Sequence, residues 1–186
     1  ALFDPGSPIF ELNVPGAAWT HFIPGSYLYT MIRPFIRGAY GWDLGVLQAL
    51  YMSQSNWDDV DGGVWKEALA GRKTAFLVQE SINDPVLPNV GTDAVAKTVG
   101  AVQIGAVLSP IEGMTTASEA VDASALTQFK VPETSDLDVH GFAARDTPAG
   151  IAARDQIRAF VASVFAGRPR IVVPPGCVGG SCDFTR

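Results

Sequence analysis

The sequence predicts an α/β protein with a mostly parallel sheet, and three observations support this prediction. Short apolar runs alternate with segments of helical character through the second half of the chain. Clusters of Asn, Asp, Pro and Gly separate these segments, as is typical of strand–helix–strand units. Hydrophobic residues make up 47% of the 186 residues and charged residues 17%. This composition excludes an intrinsically disordered chain, which needs low hydrophobicity and high net charge.

The first half of the chain predicts one strand followed by a helical segment rich in aromatic residues and glycine. An apolar run that ends at Pro15-Gly16 indicates the strand, and Pro and Gly are expected to interrupt the helices. The predicted elements are a strand at 9–14, short helices at 26–36 and 43–52 broken up by Pro34 and Gly38, a loop at 56–63 and a helical turn at 64–70.

The second half predicts strands buried on both faces and two capped helices. An apolar stripe containing Ile157, Phe160 and Val164 gives the last helix one core-facing side. The predicted elements are a strand at 74–79, a helix at 93–99 capped by Thr92, a strand at 101–108, a loop at 109–124, a strand at 126–131, a loop containing His140, and a helix that begins at Pro148 after the capping Thr147.

Three or four strands are few for a parallel sheet and would leave an apolar edge strand unpaired. The low charge fits a chain that buries a large surface against something else. We therefore expect the sheet to continue in another polypeptide. Because the chain begins at Ala1 rather than Met, we also expect a processed or truncated product.

Charge and hydropathy exclude two classes of function. Thirteen Lys and Arg against nineteen Asp and Glu give a net charge of −6, and the cations form no cluster that could hold a nucleic acid. The longest uncharged stretch, Leu12 to Ile32, is interrupted by Pro15 and Pro24 and predicts no transmembrane helix. No cofactor is expected.

Both cysteines lie near the end, as Cys177-Val-Gly-Gly-Ser-Cys182. The two glycines favour a tight turn that would bring the thiols together. A disulfide is the favoured interpretation, with free thiols and half of a metal site as alternatives. A disulfide implies an oxidising compartment, so we expect a secreted or periplasmic protein.

Two segments could carry chemistry, and both follow predicted strands. Glu80-Ser-Ile-Asn-Asp84-Pro-Val-Leu-Pro88 comes after the strand at 74–79, and His140 precedes the last helix. In open α/β sheets, ligand sites form at the carboxyl ends of the strands. A carboxylate bonded to one ring nitrogen fixes the tautomer of a histidine that then transfers protons at the other nitrogen.

The run Asn83-Asp84-Pro85-Val86-Leu87-Pro88, followed by His140-Gly141-Phe142 and an amphipathic helix, resembles the C-terminal half of an α/β-hydrolase. The order acid then histidine is that of this family. The resemblance implies that Asp84 is the acid and His140 the base of a Ser-Asp-His triad. It looks closest to large secreted bacterial lipase-like or esterase-like members.

The resemblance also implies a domain organisation for the chain. Residues 1–16 would form a core strand region, 17–70 a cap or lid insertion, and 71–168 the C-terminal hydrolase core with its acid and histidine loops. Residues 169–186 would be a Pro- and Gly-rich tail with the disulfide.

No Gly-x-Ser-x-Gly motif occurs in the sequence, so the family's nucleophile is missing. We therefore expect an N-terminal chain of the same precursor to supply the serine and the oxyanion hole, giving a proteolytically processed heterodimer. The predicted activity is hydrolysis of a carboxylic ester with an apolar small-molecule substrate, as in a lipase. A peptidase or amidase, and a non-catalytic binding protein with a hydrolase scaffold, are the alternatives.

Each candidate residue also has a structural interpretation. Asp84 before a proline could form only a turn, and His140 could be a surface histidine. Asp136, Asp138 and Glu80 are the alternative carboxylates for orienting the base.

The aromatic segment offers candidates for the lining of a substrate pocket, with core packing as the alternative for each. These candidates are Trp19, His21 and Tyr27. A further acidic loop, Asp58-Asp59-Val60-Asp61-Gly62, is weakly similar to a calcium loop, but it lacks the later acidic ligand and is expected to be a solvated turn.

Overall fold

A computed structural model describes residues 9–69 and 73–186. The predicted region 1–16 is therefore described only from residue 9, and the boundary near residue 70 lies outside the described residues. The strands are β1 (Ile9–Asn13), β2 (Ala75–Ser81), β3 (Val102–Ile104), β4 (Thr116–Ala117), β5 (Glu119–Val121), β6 (Ala125–Phe129) and β7 (Arg170–Val172). The helices are α1 (Trp19–Phe22), α2 (Tyr27–Tyr40), α3 (Asp43–Trp57), α4 (Lys66–Leu69), α5 (Asn89–Thr98), α6 (Asp136–His140) and α7 (Pro148–Phe165).

The described strands confirm an α/β fold. Five of them form a parallel sheet in the order β1-β2-β6-β3-β4, and β5 pairs with β7 in a small antiparallel ladder. The pairing of β2 with β6 sets Glu80 opposite Gln128 and Ser81 opposite Phe129. Parallel pairing brings the carboxyl ends of these two strands to one edge of the sheet.

The centre of the sheet is buried on both faces. Every residue of β2 and β6 is buried, as expected for inner strands of a parallel sheet. Phe160 of α7 packs with Leu77 and Ala125 on one face, whereas Ala96 of α5 packs with Val78 and Leu126 on the other. Helices on both faces therefore hold the edge where β2 and β6 end.

The structure corrects two predictions about helix breaks. Pro34 and Gly38 do not interrupt the second helix, since α2 runs through both. Thr30 and Pro34 are exposed, so water can reach the carbonyl that Pro34 leaves without a donor. Thr92 does not cap α5 but lies inside it, because its hydroxyl donates to the carbonyl of Pro15.

Several predicted segments differ in extent or type. The helix predicted at 43–52 runs on to Trp57, into the predicted loop at 56–63, and the helix predicted at 93–99 begins at Asn89. Only Val102–Ile104 of the run 101–108 forms a strand, because Gly105 takes a positive φ of 79° and ends it. The predicted loop at 109–124 contains the short strands β4 and β5. His140 ends a helix rather than lying in a loop, because Ser135 caps that turn by accepting a bond from the Asp138 amide.

No helix among the described residues is long and apolar enough to cross a membrane. The predicted disulfide is present between Cys177 and Cys182, and both residues pack in the core beside Phe129 and Phe142. The tail adds backbone bonds to the sheet region: the Lys130 amide donates to the Cys182 carbonyl and the Phe184 amide to the Lys130 carbonyl.

Candidate functional site

Asp84 lies in a tight turn after β2, and backbone amides orient its carboxylate. The amides of Val86 and Leu87 donate to Oδ1 at 2.8 and 3.0 Å. Asn83, directly before it, has a φ of 62°, a left-handed conformation that Asn tolerates better than most residues. The second carboxylate oxygen, Oδ2, is therefore directed away from the turn, and the side chain is only 1% exposed.

His140 meets this carboxylate from α6, across 56 residues of sequence. Its Nδ1 lies 2.7 Å from Asp84 Oδ2. A carboxylate only accepts hydrogen bonds, so Nδ1 carries the proton and Nε2 of the neutral ring is a free acceptor. The imidazole is 28% exposed. No described serine hydroxyl is hydrogen-bonded to Nε2.

The turn after His140 is fixed to α7. Arg154 donates through Nη1 to the carbonyls of Ala143 and Arg145 at 2.6 and 2.8 Å. Gly150 lies so close to this turn that an added Cβ would be 2.2 Å from the Arg145 carbonyl oxygen. Thr147 caps α7 by accepting from the Gly150 amide at 3.2 Å. These contacts hold the segment that follows His140 in one position.

Two of the three alternative carboxylates have other partners, and the third is exposed. Asp138 forms an ion pair with Arg145, and Asp136 is exposed at the start of α6. Glu80 is 1% exposed, and its oxygens accept hydrogen bonds from Asn89 and Gln128. Asp84 is hydrogen-bonded to His140, and none of these three carboxylates is.

The helical segment 17–69 is attached directly to the acid loop. The Ser26 hydroxyl donates to the Val86 carbonyl at 2.6 Å, and the Tyr27 amide donates to the Pro85 carbonyl at 2.8 Å. This places the first turn of α2 against the loop that carries Asp84. Neither contact is evident from the sequence, because both involve backbone groups more than fifty residues away.

The three predicted lining residues lie in the helical segment 17–69, and Tyr27 belongs to its attachment to the Asp84 loop. Trp19 packs against Trp57 with ring centroids 5.4 Å apart, and the exposed ring of His21 meets Tyr51 edge-on at 5.1 Å. Tyr27 begins α2 beside the acid loop. Their role in binding a substrate stays a prediction.

The acidic loop after α3 was expected to be a solvated turn, but its Asp61 is buried and organises the backbone around it. The fully buried Asp61 accepts bonds from the amides of Ala18, Trp19 and Gly63. Burial alone would raise the pKa of Asp61, but these bonds and one from Gln54 hold it below its usual value. Among residues 9–69 and 73–186, no group of three or more His, Cys, Asp or Glu could hold a metal ion.

A cavity of about 680 Å³ lies near the site, between the α6–α7 turn and the tail. Its apolar walls include Phe142, Pro148 and Phe184. It is also lined by Arg145 and Asp138. Asp84 and His140 do not line it, so this cavity is adjacent to the Asp84–His140 pair but separate from it.

A network of buried amides and carboxyls behind the acid loop was not predicted. It links Glu80, Asn89 and Gln128, and continues from Gln128 to Gln103 at 2.6 Å. The available signal was the presence of polar residues inside apolar strands, since such groups are buried only with hydrogen-bond partners.

Comparison with known proteins identifies no relative of this chain. No family model matches it, and neither a curated protein nor a solved structure matches. The fold and the site are therefore interpreted from the chain's own residues.

Proposed function

We propose that this chain supplies the acid and the base of a serine hydrolase that acts on carboxylic esters. The observation that carries the proposal is the 2.7 Å contact between Asp84 Oδ2 and His140 Nδ1, with Asp84 buried and the imidazole partly exposed. A buried carboxylate orients the ring and stabilises the imidazolium that forms during proton transfer.

The proposed reaction uses a serine from an N-terminal partner chain. Nε2 of His140 takes the proton of the serine hydroxyl as the serine oxygen bonds to the ester carbonyl carbon. The proton then passes to the departing alkoxide, which leaves as an alcohol. Water attacks the acyl-enzyme in the same way and releases the carboxylic acid, restoring the serine.

The apolar surface of α2 and α3 supports an apolar substrate. Met31, Phe35 and Met52 are 67%, 80% and 81% exposed, and the first turn of α2 is bonded to the acid loop. An exposed apolar patch of this kind marks a binding surface. An ester with a long apolar acyl group fits such a surface better than a charged substrate does.

A fluorophosphonate probe tests the proposal on the intact assembly of this chain with its partner. We expect labelling of a serine on the partner chain, reduced about 10³-fold or more by His140→Ala and by Asp84→Asn. Asp59→Asn is the matched control for Asp84→Asn, because this exposed carboxylate on the loop after α3 is not hydrogen-bonded to His140. Absence of labelling in the wild-type assembly would refute the hydrolase and favour a non-catalytic binding protein.

A further inference from the structure

Glu80 is an acidic residue at the end of an inner strand, and its side chain is 1% exposed. Oε1 accepts a hydrogen bond from Asn89 Nδ2 at 2.9 Å, and Oε2 accepts one from Gln128 Nε2 at 2.8 Å. Burial of a carboxyl group is unfavourable unless such partners are present. Neither partner is catalytic, so the proposed reaction leaves this buried group without a role.

Asn89 transmits the position of Glu80 to the loop that carries Asp84. Its Nδ2 also donates to the Ser81 carbonyl at 2.7 Å, and its Oδ1 accepts from the Asn83 amide at 2.9 Å. One side chain thus bridges the two residues on either side of Ile82. Asn83 is in the left-handed conformation that directs the chain into Asp84.

Asp93 faces Glu80 from α5. Oδ1 of Asp93 is buried and has no hydrogen-bond donor among the described residues. Burial, together with the charge of Asp93, raises the pKa of Glu80 to about 8. Burial also raises the pKa of Asp93, against which Lys97 acts. Gln128 and Asn89, the other groups that face Glu80, are neutral amides.

We propose that Glu80 is a positioning residue, which through Asn89 holds the Asp84 loop in the geometry that bonds His140. The role in catalysis rests on the proposed hydrolase function, whereas the effect on the Asp84–His140 bond does not. When Glu80 ionises beside Asp93, the carboxylates of buried Glu80 and half-buried Asp93 repel each other and one must move. The loop is therefore expected to loosen as the pH rises through about 8.

The test is the NMR signal of the proton between His140 Nδ1 and Asp84, recorded on the full chain from pH 6 to pH 10. In the wild type we expect the signal to weaken with a midpoint near pH 8. Glu80→Ala should abolish it throughout. Asp93→Asn should preserve it throughout, because an amide donates to an ionised Glu80 without repulsion. Glu133→Ala is the matched control, since Glu133 contacts Asn83 from an exposed position.

Rates of fluorophosphonate labelling separate the two proposals. A displacement of about 1 Å can lower a rate about 10²-fold, and we expect Glu80→Ala to have an effect of this size in the intact assembly. An unchanged His140 signal in folded Glu80→Ala, or a wild-type signal without a transition near pH 8, would overturn the positioning role. If the NMR pattern holds but no variant or wild type is labelled, the positioning role stands and the hydrolase proposal fails.

Discussion

The two long helices α2 and α7 show how differently the two regions of the molecule use their apolar residues. α7 covers the sheet and buries Phe160, Ala152 and Ala153 among six fully covered positions. α2 also has a pronounced apolar face, yet Tyr29 is its single buried residue. Burial of apolar area is what stabilises a fold, so the two helices contribute unequally to stability.

The same contrast holds beyond these two helices. The sheet region closes its core with residues from β2, β6, α5 and α7, whereas the segment 17–69 presents many large apolar side chains to the surface. They include Leu28, Met31, Ile32, Phe35, Tyr40, Trp42, Leu44, Tyr51 and Met52. The difference indicates that apolar burial stabilises the sheet region more than the helical segment.

A matched pair of phenylalanines gives the largest expected effect. Phe160→Ala in α7 should lower the free energy of unfolding by about 3–5 kcal/mol, because it removes a ring that is 1% exposed. Phe35→Ala in α2 should change it by less than about 0.5 kcal/mol, since that ring is 80% exposed. Urea denaturation of each variant measures both values. Equal losses would show that α2 is covered in solution and would remove the contrast.

The contact between Asp84 and His140 was more predictable from the sequence than the framework that holds it. Asp84 and His140 stand in short segments with recognisable chemistry, and strand ends meet at one edge of a parallel sheet. The end of β3 at Gly105 depends on a backbone angle, and the small ladder of β5 with β7 depends on a pairing fifty residues apart. Local sequence patterns do not encode such long-range backbone contacts.

The buried network illustrates a second limit of the sequence. Glu80 was recognisable as an acidic residue after an apolar run, and it was weighed as a partner for His140. Its true partners, Asn89 and Gln128, lie on α5 and β6, so their identity depends on which strands become neighbours. Strand order places β6 beside β2, although three other strands separate them in the sequence.

Removal of the disulfide, which packs in the sheet region, should have an intermediate effect on stability. Replacing both Cys177 and Cys182 with Ala should lower the free energy of unfolding by roughly 2 kcal/mol, the value expected for closing so short a loop. Reduction of the wild type with a phosphine should give a similar loss, measured by thermal unfolding. An effect confined to the helical segment in hydrogen exchange would contradict the packing of both residues beside Phe129 and Phe142.

The smallest effect is expected at the junction of the two regions. Ser26→Ala removes the cap of α2 and leaves the buried Val86 carbonyl without its donor, so a loss of about 1 kcal/mol is expected. Hydrogen exchange should quicken in α2 while β2 and β6 stay protected, because the sheet core does not include Ser26. Thr30→Ala is the control, because the exposed Thr30 hydroxyl donates to the Tyr27 carbonyl within the same helix. Faster exchange in β2 as well would mean that the helical segment and the sheet unfold as one unit. The contrast between α2 and α7 would then be a difference in exposure and not in the stability of two separately unfolding regions.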